Sequence, residues 1–232
     1  MRNHKYSTIL FDMDGTITDT MRLQPLLIKK YFLSDSNSIS FGEVQRKMAS
    51  IYYYNKYTWF KPKTPIFFAK IFQKPLLRMI SVSPIMAFQY WRALQHEQTF
   101  PSAPSVITNL RKKGLKVGLV TNGTNFEVKL KIPSIFKLFD FQVTASDVSK
   151  KKPNPQMIII GMKKALSTPE DTLYVGDTLV DMLAAKNAGC DFALMTTGTF
   201  GAEVVKIGKQ KPQQIFSSLQ KLEDFILNPN NY

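Results

Sequence analysis

The chain has 232 residues, a formal net charge of +14 and a hydrophobic fraction of 44%. This apolar fraction is too high for a disordered chain, and the single Cys excludes an intrachain disulfide scaffold. The same Cys count is typical of a reducing compartment, so we expect a cytoplasmic location.

The first predicted element is a buried strand over residues 6–11, which ends at the glycine-containing turn of residues 12–16. Residues 21–100 then show helical patterns in pieces, separated by prolines. This stretch is too long for a loop in a compact domain. We interpret it as an inserted helical subdomain within a core formed by residues 1–20 and 101–232.

Strands and helices alternate from about residue 105 to the end of the chain. The apolar spacing and the Gly and Pro signals predict helices near 106–110 and over 155–166, 179–188 and 218–227. Short β-rich runs predict strands over 116–120, 141–144, 172–175 and 192–195. This order predicts an α/β fold, with a doubly wound (Rossmann-like) parallel sheet that helices cover on both faces.

Two carboxylates follow the first predicted strand. Asp12 and Asp14 stand at positions i and i+2, which allows one to act as a nucleophile and the other to move a proton. Gly15 permits a tight turn and a close approach of the main chain to a ligand. The ends of parallel strands are also where such sheets bind ligands.

Further polar residues follow the later strands. Thr121 offers a hydroxyl group, Asn122 an amide donor and Lys152 a cation, while Asp177 and Asp181 add two carboxylates one helical turn apart. Oxygen ligands without a Cys or His cluster suit Mg²⁺. Carboxylates, a hydroxyl group, a lysine and Mg²⁺ around one point suit phosphoryl transfer.

Taken together and in order, these motifs resemble those of the haloacid dehalogenase superfamily. They are DMDGT at 12–16, TN at 121–122, KPNP at 152–155, and GD at 176–177 followed by Asp181. The resemblance covers residues 5–20 and 101–227. Within the superfamily, the phosphoglycolate phosphatase-like and β-phosphoglucomutase-like groups have the most similar pattern. It implies that the insert is a helical cap over the site.

The resemblance also implies a role for each motif residue. Asp12 would be the nucleophile that forms an aspartyl-phosphate, and Asp14 the general acid/base. Thr121 and Lys152 would complete the catalytic set. Contacts to the phosphoryl group are implied for Gly15, Thr16, Thr121, Asn122 and Lys152. Mg²⁺ would be held by Asp12, Asp14 (through its main-chain carbonyl), Asp177 and Asp181.

These roles predict an Mg²⁺-dependent phosphatase for a small phosphorylated metabolite. The presence of Asp14 favours phosphate esters, because relatives that cleave carbon–halogen bonds lack this second carboxylate. One alternative is a phosphotransferase, such as a sugar-phosphate mutase, with the same catalytic set.

A second alternative is a protein that binds nucleic acid or an acidic membrane surface and has a vestigial site. It depends on residues 22–100, where 12 Lys and Arg stand against three acidic residues and aromatic residues cluster over 52–72.

Overall fold

The computed structural model describes residues 5–19, 99–198 and 212–229. In these ranges strands and helices alternate along the chain. The strands are β1 (Thr8–Phe11), β2 (Lys116–Val120), β3 (Phe141–Val143), β4 (Thr172–Gly176), β5 (Asp191–Met195) and β6 (Gln214–Phe216). The helices are α1 (Ala103–Lys112), α2 (Asn125–Lys131), α3 (Gln156–Ala165), α4 (Leu179–Ala188) and α5 (Leu219–Leu227).

The strands form one parallel sheet in the order β3-β2-β1-β4-β5-β6. From β1 the chain builds the sheet outward through β2 and β3, and then returns to add β4, β5 and β6 on the other side. The strand order therefore reverses beside β1, which is where doubly wound sheets open a crevice for ligands. The predicted fold class of the core is confirmed.

Helices cover both faces of the sheet. Ile9 and Phe11 are fully buried in a core cluster with side chains of α1 and α5, such as Leu222. Leu10 points to the opposite face, where α3 packs so closely that a Cβ on Gly161 would lie 3.1 Å from Cδ1 of Leu10. Full burial of each such apolar side chain contributes about 1.5–3 kcal/mol.

The sequence did not predict α2 and β6. The seven residues of α2 are too few for a clear apolar period, but Thr124 and Glu127 form a capping box at its start. The main-chain N–H of Glu127 donates to Oγ1 of Thr124 at 3.2 Å, and that of Thr124 donates to Oε2 of Glu127 at 2.6 Å. Reciprocal capping of this kind satisfies two N–H groups that the helix leaves without partners.

The chain divides into two compact units, Met1–Met21 with Glu97–Tyr232, and Arg22–His96. The described residues all belong to the first unit, so the predicted helical cap at 21–100 lies outside them and stays a prediction. The described ranges contain 15 Lys and Arg against 13 Asp and Glu. Most of the basic excess therefore lies elsewhere in the sequence. Within those ranges, every helix is too short or too polar to span a bilayer.

Candidate active site

Three neighbouring strands deliver polar residues to one edge of the sheet. Asp12 follows β1, Thr121 follows β2 and Asp177 follows β4, and β1 lies between the other two strands. The interstrand hydrogen bonds of the sheet extend to Asp12 and Thr121. The N–H of Asp12 donates to the carbonyl of Val175 at 2.8 Å, and the N–H of Thr121 donates to the carbonyl of Val143 at 3.0 Å. Their main-chain positions are thus fixed by the sheet.

Lys152 stands at the centre of the site and is 4% exposed. Its Nζ donates to Oδ1 of Asp12 at 2.7 Å, to Oδ1 of Asp181 at 2.6 Å and to the hydroxyl of Tyr174 at 2.6 Å. Burial alone lowers the pKa of Lys152, but the two carboxylates more than reverse this effect and raise it above its usual value. The side chain is therefore a permanent cation beside the carboxylate of Asp12.

Asn122 holds the main chain of Lys152 in place. Its Oδ1 accepts from the Lys152 N–H at 2.9 Å, and its Nδ2 donates to the Lys152 carbonyl at 3.3 Å. The peptide bond between Lys152 and Pro153 is cis. The side-chain amide of Asn122 is thus engaged with Lys152 on both of its ends.

Asp181 belongs to both the site and the start of α4. Its Oδ2 accepts from the N–H of Thr178 at 3.1 Å and from the Thr178 hydroxyl in a very short hydrogen bond. Its Oδ1 accepts from Lys152 and, at 3.0 Å, from the hydroxyl of Tyr174. Both oxygens of this carboxylate therefore have protein partners.

Asp177 differs from its neighbours because, among the described residues, neither of its buried carboxylate oxygens has a hydrogen-bond partner. One oxygen each from Asp12, Asp177 and Asp181 lies within 4.8 Å of the others. Burial and the other two carboxylates raise the pKa of Asp177 well above its usual value, and burial is also the main reason that the pKa of Asp12 rises to about 7.

The charges of this cluster do not balance. Among the described residues, three carboxylates face one ammonium group, which leaves two negative charges uncompensated when all four groups are ionised. A buried charge without a partner is strongly unfavourable. A divalent cation with a preference for oxygen ligands would balance the cluster, and Asp177 offers it two oxygens that no described residue contacts by a hydrogen bond.

The carboxylate of Asp14 is not part of this cluster. Nζ of Lys131 donates to its Oδ1 at 2.9 Å and to its Oδ2 at 3.0 Å. Gly15 follows with a φ of +79°, a conformation that favours glycine. The hydroxyl of Thr16 is buried and has no hydrogen-bond partner within the described part of the chain.

Comparison with known proteins identifies the family of the chain. The sequence profile of the haloacid dehalogenase-like hydrolases matches residues 9–195. The chain belongs to this family. The predictions of the superfamily and of a hydrolase are therefore confirmed.

Several relatives of this haloacid dehalogenase-like hydrolase have phosphatase names. Pyrophosphatase PpaX of Bacillus velezensis is 26% identical over 97% of both chains. A phosphoglycolate phosphatase of Salmonella typhi is 33% identical over 58% of this chain and 54% of its own. A crystal structure of a protein provisionally named phosphoglycolate phosphatase, from Lactobacillus delbrueckii subsp. bulgaricus, has a TM-score of 0.71 at 22% identity, and the match covers 97% of this chain and 99% of that one.

Three site residues of this hydrolase were missed by the sequence analysis: Tyr174, Lys131 and Gly198. Tyr174 lies inside β4, whereas the candidates came from strand ends. Lys131 lies on the unpredicted helix α2. Gly198 follows β5, a strand end from which the sequence analysis took no candidate.

Gly198 is required for the position of Asp177. A Cβ built on Gly198 overlaps the Oδ2 atom of Asp177. The φ of Gly198 does not itself require glycine, so the overlap is the reason that a larger residue does not fit. We expect Gly198→Ala to displace Asp177 and to lower activity by about 10²-fold, the scale of a displacement of about 1 Å. Steady-state kinetics would measure this loss. Gly123→Ala is a matched control, because a Cβ there meets its nearest atom at an ordinary 3.4 Å. Equal activity of the two variants would contradict the assignment.

Proposed function

We propose that the protein is an Mg²⁺-dependent phosphatase that acts on a small phosphorylated metabolite through an aspartyl-phosphate on Asp12. The main support is the pair of carboxylate oxygens on Asp177, which are buried, unpartnered among the described residues and next to Asp12. The cytoplasmic location stays a prediction.

Asp12, Asp177 and the main-chain carbonyl of Asp14 would hold the Mg²⁺ ion. Asp181 would support it from a greater distance, because its oxygens already bind Lys152, Tyr174 and Thr178. When bound, the ion neutralises charge on the phosphoryl oxygens and on the carboxylates around it.

The reaction would take place in two steps. In the first, a carboxylate oxygen of Asp12 forms a bond to phosphorus while the bond to the leaving oxygen breaks, and Asp14 gives that oxygen a proton. In the second, Asp14 takes a proton from water, whose oxygen attacks phosphorus and releases phosphate from Asp12. The enzyme returns to its starting state, so the net reaction consumes only ester and water.

The other motif residues would bind the phosphoryl group. Lys152 would neutralise its negative charge, since this side chain remains protonated and already contacts Asp12. The hydroxyl groups of Thr121 and Thr16 would donate to phosphoryl oxygens. Because the side chain of Asn122 is engaged with Lys152, we assign its phosphate contact to its main-chain N–H. Gly15 would allow the main chain to approach the ligand.

The names of the relatives support a substrate class. Pyrophosphatase and phosphoglycolate phosphatase are the names of proteins 26% and 33% identical to this chain. Both names specify small, strongly anionic phosphate compounds. We therefore propose a compact substrate of this kind, with pyrophosphate and 2-phosphoglycolate as the first compounds to test.

Turnover is expected to require Mg²⁺. We expect phosphate release from p-nitrophenyl phosphate, pyrophosphate or 2-phosphoglycolate to stop in EDTA and to return once Mg²⁺ exceeds the chelator, because Lys152 alone among the described residues does not balance the cluster around Asp177. The measurement is the rate of phosphate release across this panel. An unchanged rate in EDTA would contradict the proposed metal site.

Glucose 1-phosphate, DNA and anionic vesicles, tested beside this panel, distinguish the alternatives. Glucose 1-phosphate that is isomerised without release of phosphate would identify a mutase. Salt-sensitive retention on DNA or on anionic vesicles, with no turnover of any ester, would identify a binding protein with a vestigial site.

A further inference from the structure

Lys131 is a buried lysine that lies outside all four motifs. It is the last residue of α2 and is 6% exposed. A lysine is rarely this buried unless it is paired, because its ammonium group loses hydration. Here Nζ donates to both carboxylate oxygens of Asp14, at 2.9 and 3.0 Å. One cation therefore contacts both oxygens of the residue that the proposed mechanism uses to move protons.

The main chain around Asp14 is already fixed by the turn itself. The N–H of Gly15 donates to the carbonyl of Thr18 at 2.8 Å, and the N–H of Thr18 donates to the carbonyl of Met13 at 3.0 Å. What the turn leaves open is the rotation of the Asp14 side chain. The hydroxyl of Thr18 donates to Oδ1 of Asp14 at 3.4 Å. The two hydrogen bonds from Lys131 to the same carboxylate are shorter.

Lys131 lies on a helix whose position is fixed by its neighbours. The capping box of Thr124 and Glu127 fixes the start of α2, and Val128 and Ile132 are fully buried on either side of the lysine in sequence. The side chain therefore reaches Asp14 from an ordered helix. Because the position of Lys131 is fixed by the helix, its ammonium group can hold the Asp14 carboxylate in one orientation.

We propose that Lys131 is a positioning residue that orients the Asp14 carboxylate toward the oxygen of the leaving group. The inference rests on the proposed function, in which Asp14 protonates that oxygen as its bond to phosphorus breaks. For this step Asp14 carries its proton on one oxygen, while the other oxygen still accepts from Lys131. An alkoxide needs this proton, whereas p-nitrophenolate is a stable anion and leaves without it. A misplaced Asp14 therefore slows esters with poor leaving groups the most.

The test compares leaving groups in Lys131→Met. The substrates are p-nitrophenyl, phenyl and ethyl phosphate, in order of increasingly poor leaving groups. The measured quantity is kcat/KM, because it reports the transfer of phosphate to Asp12 and not the later hydrolysis that all three share. We expect a loss of about 10²-fold for ethyl phosphate and a much smaller loss for p-nitrophenyl phosphate.

Lys129→Met is the matched control, since Lys129 lies on the same helix and is exposed. It should leave all three rates unchanged. Lys131→Arg should restore part of the rate for ethyl phosphate, because a guanidinium group can also contact both oxygens of a carboxylate. In an Asp14→Asn background, Lys131→Met should cause no further loss. If Lys131→Met does not fold, as judged by thermal melting, the leaving-group series of Lys131→Arg and Lys131→Gln decides the question.

Equal losses for the three esters, or a further loss in the Asp14→Asn background, would overturn the role of Lys131 and leave the proposed function intact. A wild-type protein that releases phosphate from none of these esters, and from neither pyrophosphate nor 2-phosphoglycolate in Mg²⁺, would instead overturn the proposed function and this inference with it.

Discussion

Asp12→Asn is expected to abolish turnover, with a fall in kcat on the order of 10⁴-fold or more. An amide oxygen does not attack phosphorus as a carboxylate does, so the covalent step is lost. The fold should survive, because Asn can still accept the hydrogen bond from Lys152, which also keeps its contact with Asp181. Removing one of three clustered carboxylates should even leave the melting temperature in EDTA unchanged or higher.

A trapping experiment checks this result. Acid quenching during turnover of phosphate-labelled substrate should trap label on the wild-type protein and none on Asp12→Asn. Asp224→Asn is the matched control, because Asp224 is an exposed carboxylate on α5 and should tolerate the same change. A labelled, active Asp12→Asn protein would show that the nucleophile is a different residue.

The sequence predicts most of the sheet, and the same strand assignments predict three of the site residues. Adjacent parallel strands end at the same edge, so Asp12, Thr121 and Asp177 must lie near one another once β1, β2 and β4 are assigned. Asp181 enters the same site from α4, and Lys152 enters it from the loop that precedes α3. For these five residues, local pattern and topology are sufficient to predict proximity.

The other side-chain contacts of the site join residues that no local sequence pattern relates to one another. Lys131 and Asp14 are 117 positions apart and meet through α2, whose seven residues gave no apolar period. Tyr174 appeared only as a strand residue, although its hydroxyl contacts Lys152 and Asp181. The side chain of Asn122 was expected to offer a donor to the ligand, and instead it holds the main chain of Lys152.

The charge of the chain also misleads about the site. A net charge of +14 predicts an anionic partner, yet the described ranges are nearly balanced and the buried cluster is negative. The affinity for a phosphate compound would thus depend on a cation that the cluster binds, together with Lys152. The basic residues outside the described ranges are not needed to explain the phosphoryl site.

Asp177→Asn is expected to change activity and metal-free stability in opposite directions. Activity should fall by about 10²-fold or more, because the variant loses a carboxylate that would hold Mg²⁺. Stability in EDTA should rise, because the wild type buries a carboxylate with no partner among the described residues. This gain should appear as a higher melting temperature of the metal-free protein.

The dependence on pH provides a second signature of Asp177. Its raised pKa means that the metal-free folded state binds protons that the unfolded state has already released. The contribution of Asp177 to stability in EDTA should therefore be largest at or below its unfolded pKa, about 4, and fall as the pH rises toward its folded pKa. Asp12, with a pKa of about 7, contributes a decline of the same sign between about pH 4 and pH 7. In Asp177→Asn only the contribution of Asp12 remains, so the decline should be shallower.

Mg²⁺ should reverse this trend, because metal binding requires the ionised carboxylates and so strengthens as the pH rises. Wild-type protein with Mg²⁺ at about 100 times its dissociation constant should gain about 2.7 kcal/mol, and Asp177→Asn should gain little at the same concentration. Thermal melts at several pH values, with EDTA and with Mg²⁺, measure all of these effects, and Asp224→Asn is again the control. If Asp177→Asn kept the full stabilisation by Mg²⁺, the ion would bind elsewhere, and the unpartnered oxygens of Asp177 would require a different explanation.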